Sequence, residues 1–345
     1  SVSYSKSAAA STLAAGGNLN LTATGAGADS TLLVQGSTLT AGQNVTLEAD
    51  HRIDLLAAAN TSEQHSTRKS SSASVGVSVG TNGPLMFNVG ASKGKGNSDG
   101  NDLVWSNTQI QAGNTLTLRS GDDTTLKGAV AEGKQIVADI GGNLVIESLQ
   151  DRSTYQSQDK NAGFSISVGY GKMSGSVSAS KSQVNSNYQS VGEQSALKAG
   201  DGGFDVSVAG NTDLKGGAIL STQEAIDQER NHFNTGGELT LTDLTNSAHY
   251  SGKSSGISLD SGVSFDGSLK PQGSSAGFGK EGGEARSTTL AAISGLAGNQ
   301  NARTGDAETS LQKIFDQDKV EKSLNAQVQI TQLFGQQASK AVGDY

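Results

Sequence analysis

The chain has 345 residues, a formal net charge of −8 at pH 7 and no cysteine, which excludes disulfides and thiolate metal sites. Glycine supplies 46 positions and proline only 2, so the glycine serves turns and not a collagen or a proline-rich linker. Aromatic residues make up 4% of the chain, which suits a narrow core of stacked Leu, Val and Ile better than an ordinary globular one, and the acidic balance argues against an electrostatic grip on nucleic acid or anionic lipid.

In chain order, a short unit of Ala-Gly followed by alternating apolar residues recurs. It reads Ala15-Gly16-Gly17-Asn18-Leu19-Asn20-Leu21, then Ala41-Gly42-Gln43-Asn44-Val45-Thr46-Leu47, then Ala112-Gly113-Asn114-Thr115-Leu116-Thr117-Leu118. Looser copies follow at Gly141-Gly142-Asn143-Leu144-Val145-Ile146 and Gly236-Gly237-Glu238-Leu239-Thr240-Leu241. Each is a glycine turn feeding a short strand. Repetition of one such unit predicts a solenoid, in which every coil buries its apolar side by stacking on its neighbours. The expected fold is all-β, a parallel β-helix, and parallel crossover chirality makes right-handed coiling the expectation.

A second period of roughly ninety residues overlies the first. Ser/Gly-rich alternating segments close at Gly80, Gly169 and Gly262, and Tyr4-Ser5-Lys6, Ala91-Ser92-Lys93 and Ala179-Ser180-Lys181 correspond. The chain thus opens in the middle of a unit, as a piece of a longer protein would. Asn82-Gly83-Pro84 separates two alternating runs, a strong hairpin signal, and a second turn is expected near Gly171-Lys172. Coils over 1–286 are therefore expected to be interrupted by antiparallel hairpins near 60–101, 151–186 and 246–276. Gly277 to Gly283 reads as a glycine-rich linker.

Over 287–345 the character changes to mainly helical. Leu311, Ile314, Phe315, Leu324 and Val328 fall at three- and four-residue intervals, with Asp306 as the expected N-cap, Glu308 in the first turn, and Gly335 and Gly343 as helix ends. Such a segment either caps the final coil or connects to a further domain.

Candidate chemistry is sparse. His51, His65, His232 and His249 lack ligand spacing, and Asp99-Gly100-Asn101-Asp102 has only the opening of a calcium loop, without the distal glutamate. Asp122-Asp123 follows Gly121 and reads as a turn. A polysaccharide-cleaving β-helix enzyme would need two carboxyls facing each other across a sugar. No catalytic, cofactor-binding or metal set is assigned, and the expected partners include no nucleic acid. Arg68-Lys69 is the densest basic pair.

The one functional signal is alternation in the hairpin strands. Val75, Val77 and Val79, then Leu85, Phe87 and Val89, then Phe164, Ile166, Val168 and Tyr170, then Ile257, Leu259, Val263 and Phe265 place apolar residues on one strand face opposite Ser and Gly. These are the candidate membrane-contact residues, because lipid-facing and lumen-facing positions alternate in a spanning β-strand. A strand with one face packed on a core alternates in the same way, so hairpins lying as an extra sheet on the stack remain the competing reading. Unpaired hairpin edges would also allow self-association.

The tandem Ala-Gly-x-x-Leu-x-Leu coils resemble those of filamentous-haemagglutinin exoproteins, which are exported by two-partner secretion. The longer units with Ser/Gly hairpins resemble the second haemagglutinin repeat region of contact-dependent growth-inhibition toxin carriers. Asn325-Ala326-Gln327-Val328-Gln329-Ile330-Thr331-Gln332-Leu333-Phe334-Gly335-Gln336-Gln337-Ala338 resembles the stretch before the pretoxin region of those proteins. The resemblance implies a non-catalytic part of a long secreted, cell-surface toxin carrier. It implies as partners an outer-membrane transporter during export, the carrier's own C-terminal toxin region, and the outer membrane of a target cell. An adhesin or filament spacer presenting a receptor-binding surface is the alternative.

Overall fold

A computed structural model describes residues 1–78, 86–169, 172–264 and 269–343. Its body is a parallel β-helix with three strands to a full coil. The first coil is formed by Thr12–Ala15, Leu19–Ala23 and Leu32–Gln35, and the second by Thr38–Ala41, Val45–Ala49 and Ile53–Leu56. Equivalent strands pair in parallel register, so like residues stack. One column runs Leu19, Val45, Leu116, Ile136, Phe204 and another Val34, Leu55, Leu126, Ile146, Leu214. Val45, Leu55, Leu116, Leu126, Ile136, Ile146 and Leu214 are wholly buried. Each such side chain contributes about 1.5–3 kcal/mol through removal from water.

The turns explain the rest of the repeat unit. A Cβ at Gly42 would overlap the carbonyl oxygen of Gly16 in the coil before it, and one at Gly113 that of Gly42. Only glycine lets successive turns approach so closely. The asparagine of the unit forms a ladder: the Asn44 Nδ2 donates to Asn18 Oδ1 at 3.1 Å, and the Asn114 Nδ2 to Asn44 Oδ1 at 3.2 Å. The turn amides, which no strand ladder serves, find partners there.

The chain leaves the stack after every second coil and always at the same corner. It departs after Ile53–Leu56, Leu144–Glu147 and Leu239–Thr242 and returns at Thr108, Ala196 and Ala292. Two coils plus one hairpin therefore make up the longer period. The strands concerned are β1 (Val2–Lys6), β2 (Ala58–Ser78), β3 (Met86–Ser106), β4 (Gln150–Gly169), β5 (Lys172–Val191), β6 (Leu244–Ser264) and β7 (Leu269–Thr289). Because the exits are stacked, the hairpins lie side by side and pair with one another. Among the described residues they form one seven-stranded antiparallel sheet in the order β1 to β7. The turn at Asn82-Gly83-Pro84 and Gly171 lie outside the described residues. The third excursion runs to Thr289, so Gly277 to Gly283 is strand and not linker.

Two α-helices are present among the described residues, besides one 3-10 turn at Gly27–Asp29. The short α1 (Gln223–Asp227) replaces part of a turn and is capped by Thr222, which accepts from Ala225 N. The long α2 (Gln317–Gly343) departs from expectation in three ways. Asp306 is not its cap. Asp316 is, accepting at 3.0 Å from Lys319 N. Residues 306–316 stay outside the helix because the sheet and stack hold them: Leu311 N donates to Ser190 Oγ, its carbonyl accepts from Tyr188 Oη, and Glu308 accepts from Gln194 N. The helix also continues through Gly335 to Gly343, and it lies on the hairpin sheet and not on the final coil. Beyond the last coil the stack continues with Ala292–Ile293, which pairs with Ala218 and Ile219, and Ala297–Gly298 pairs with that strand in turn. Thr304 ties the following segment to the coils, its N–H donating to Ser221 O and its hydroxyl to Ala199 O.

Candidate functional site

Register across the hairpin sheet decides which side chains meet, because directly opposed residues in antiparallel strands share a face. One row reads Ala73, Ala91, Phe164, Val177, Leu259. The next reads Val75, Val89, Ile166, and the next Val77, Phe87, Val168, Met173. Ile257 stands opposite Ala179 and Ala276 one row nearer the stack. Val75, Val77, Phe87, Val89, Phe164, Val168, Ile257 and Leu259 are all exposed, Val75 at 82%, and Ile166 is half-buried. Nine of the sequence-derived residues thus form one continuous apolar face toward the free end of the sheet. Val79, Leu85, Tyr170 and Phe265 lie outside the described residues, and for Val263 only the backbone is described, opposite Met173.

Three members of this face escaped the sequence reading. Val177 and Met173 sit on β5, where Ser and Gly dilute the alternation, and Phe278 lies in the stretch read as a linker. The signal was there, since Val177 and Ala179 alternate with serines.

The opposite face is built of small residues. Its serines pair across strands: Ser72 with Ser92 at 2.7 Å, Ser165 with Ser176 at 2.7 Å and Ser258 with Ser275 at 2.6 Å. Helix α2 lies on this face over β6 and β7. A Cβ at Gly252 would stand 2.7 Å from Leu324 Cδ1, so glycine sets how closely the helix approaches. Val320 and Leu324 bury against Val184, with Phe315 stacked on Tyr155 and Tyr250 at ring-centroid distances of 5.3 and 5.9 Å. Burial pushes the Tyr155 and Tyr188 hydroxyls above their ordinary range. The backbone N–H of Lys280, on edge strand β7, donates to Gln327 Oε1 at 2.9 Å.

Nearer the stack, the apolar side turns basic. Lys69, Lys95, Lys160 and Lys181 occupy one row on four neighbouring strands. The sequence reading held that the chain has no basic cluster, and this row overturns it. The four residues are separated by 26, 65 and 21 positions, and only the sheet register assembles them.

The other polar candidates serve the fold. Asp99 and Asp102 belong to strand β3, not a loop, and face opposite ways: Asp99 contacts His65, and Asp102 lies 3.5 Å from Lys313 Nζ. Asp123 accepts from the backbone and side-chain nitrogens of Asn143, and Asp122 lies 3.5 Å from His51. Among the described residues no group of three or more His, Asp or Glu is placed to hold a metal ion. No described helix is long and apolar enough to cross a membrane.

A parallel β-helix that sheds a hairpin after every second coil defines the class as a repeat solenoid. Comparison bears on it directly: a family model described as hemagglutinin repeat matches residues 1–162. Toxin CdiA of Escherichia coli is 37% identical over 359 residues, which cover 95% of this chain and 11% of that protein. The tRNA nuclease CdiA of Escherichia coli O6:K15:H31 (strain 536 / UPEC) is 36% identical over 93% of this chain and 10% of its own length. Deoxyribonuclease CdiA of Yersinia pseudotuberculosis serotype O:3 (strain YPIII) is 35% identical, over 94% and 32% respectively. The chain is a filamentous-haemagglutinin repeat region of the CdiA type, and it spans about a tenth of the length of the two Escherichia coli relatives. No solved structure matches it.

Proposed function

We propose that this chain is a non-catalytic segment of a secreted, cell-surface toxin carrier, that the apolar face of its hairpin sheet engages the outer membrane of a target cell, and that this engagement helps a C-terminal toxin across. The carrier would leave its own cell through a two-partner outer-membrane transporter. One observation carries the reading: a continuous apolar face lies exposed at the free end of a sheet that the stack does not cover.

Geometry limits the mode of engagement. From the Ile257 row to the Val77 row the strand advances six residues, about 20 Å at ~3.4 Å per residue. A hydrocarbon core is ~30 Å thick. The described apolar rows therefore suit entry to the depth of about one leaflet. The serine pairs on the opposite face satisfy one another's hydroxyls, which lowers the cost of drying that face as the sheet closes or associates. The coils supply the rigid rod that holds the sheet at a distance from the producing cell. The same rod would suit an adhesin or spacer, and that reading predicts a sheet indifferent to lipid.

The test is flotation with outer-membrane vesicles, comparing the chain with a Phe164→Asp/Ile166→Asp/Val168→Asp variant. The expected result is flotation of the chain, protease protection around Val77, Ile166 and Leu259, and loss of both in the variant. Cleavage that vesicles leave unchanged would favour the spacer.

A further inference from the structure

The apolar side of the hairpin sheet carries a band of lysines with no carboxylate among them. Lys69, Lys95, Lys160 and Lys181 stand directly opposite one another on β2 to β5. Lys93 lies in the adjoining row toward the free end, and Lys253 and Lys280 oppose each other in the adjoining row toward the stack. All seven are exposed, and among the described residues none makes an ion pair. The next carboxylates on this face are Asp99, four residues along β3 from Lys95, and Glu284, four residues along β7 from Lys280, each about 14 Å away at ~3.4 Å per residue. Asp99 is already engaged by His65 and Glu284 by Arg286, and both lie beyond the ~8 Å over which charges act through physiological salt. Asp159, beside the row in sequence, points to the other face and pairs with Arg68 at 3.0 Å.

Like charges directly opposed on neighbouring strands, ~4.8 Å apart, oppose folding. The sheet holds four in line without a counter-charge of its own. Their position supplies a reason: the row begins where the apolar rows end, with Phe278 of edge strand β7 at its own level. An apolar band that enters hydrocarbon leaves the next residues at headgroup depth, where long lysine stems reach outward to phosphates. Clustered lysines beside an apolar face are the pattern that binds an anionic leaflet. A nucleic acid laid on the row would leave the adjacent Phe164, Val177 and Leu259 in water.

We infer that the lysine row binds the phosphate-bearing headgroup layer of an anionic leaflet and sets the depth to which the apolar rows enter. The inference rests on the membrane reading above and adds its lipid selectivity. It overrides, for this face, the argument that a chain of net charge −8 has no grip on anionic lipid.

The experiment measures partition of the 345-residue chain onto vesicles of phosphatidylcholine alone and of phosphatidylcholine with phosphatidylglycerol, at low and high salt. The chain should prefer the anionic vesicles by about 10²-fold or more at low salt, with the preference fading as salt rises. A Lys69→Gln/Lys95→Gln/Lys160→Gln/Lys181→Gln variant should lose the preference while binding neutral vesicles as before, and the matching Lys→Arg variant should keep it. The glutamine variant should melt no lower than the parent, because it relieves repulsion between neighbouring strands. Retention of the preference by the glutamine variant, or equal binding of the parent to both vesicles, overturns the lysine assignment and leaves the membrane reading standing. Binding to neither overturns both. Displacement of the vesicles by duplex DNA at equal phosphate concentration overturns the lipid assignment.

Discussion

The coils and the hairpin sheet use the same alternation of apolar and small polar residues and put it to opposite ends. In the coils, Leu118 faces inward and is wholly buried beneath the next coil. In the sheet, Val77 and Phe87 face outward and are more than half exposed. What separates them is the partner each strand finds. A coil strand pairs in parallel above and below, and its apolar side closes onto two other walls of the same coil. A hairpin strand pairs only sideways, and among the described residues α2 and the segment leading into it lie on the Ser/Gly side of the sheet. Alternation thus reveals that a strand has two different faces, but not which face the rest of the molecule hides.

The comparison can be broken by an ordered mutational series read in urea unfolding. Leu118→Ala should cost about 2–5 kcal/mol, since it opens a cavity among stacked coils. Gly277→Leu should cost about 1–3 kcal/mol and expose α2 to protease, because a side chain there collides with the Val328 carbonyl and side chain. Val77→Ala should stay within ~0.5 kcal/mol. A Val77 cost close to that of Leu118 would show that the hairpin face is hidden after all.

A further small effect is electrostatic and lies in the stack. Glu147 bridges Lys127 at 2.9 Å and Lys215 at 3.2 Å, residues of the coils on either side. Burial alone would raise its pKa, but the two lysine hydrogen bonds and their charges outweigh it and hold the carboxyl below its ordinary 4.5. A carboxylate with a depressed folded-state pKa stabilises the fold above its unfolded value, and the contribution fades as pH falls through the folded-state value. Stability should therefore decline from about pH 5 downward, and Glu147→Gln should remove that part of the decline, at a cost of about 1 kcal/mol or less at neutral pH. The same substitution should leave vesicle binding by the hairpin face unaltered.

Much of the fold was legible because solenoid repeats are local. Each Ala-Gly-x-x-apolar-x-apolar unit contains its own turn and its core residues, so a single copy predicts its role. The hairpins were legible as strands for the same reason. What could not be read was anything set by register between distant strands. Val177 joins Phe164 and Leu259, and Lys69 joins Lys181, only because three hairpins emerge at one corner and pair. The helix start was misplaced for a related reason. Glu308 and Leu311 carry helical signals, but Gln194, Ser190 and Tyr188 hold that stretch out of the helix through hydrogen bonds no local pattern contains. Gly277 and Gly279 read as linker, yet together with Gly252 they form the floor on which α2 sits.

The central claim is that the hairpin face, and not the coil stack, meets lipid. With no native cysteine to remove, single cysteines can be placed at Phe164 on the apolar face, at Lys160 in the basic row and at Thr46 on the coils, each carrying an environment-sensitive fluorophore. On vesicles containing phosphatidylglycerol, the label at 164 should shift to the blue and be quenched from within the hydrocarbon. The label at 160 should respond only to quenchers at headgroup depth, and the label at 46 should not change. A label at 164 that stays in water, or a coil label that enters lipid with it, would contradict the account.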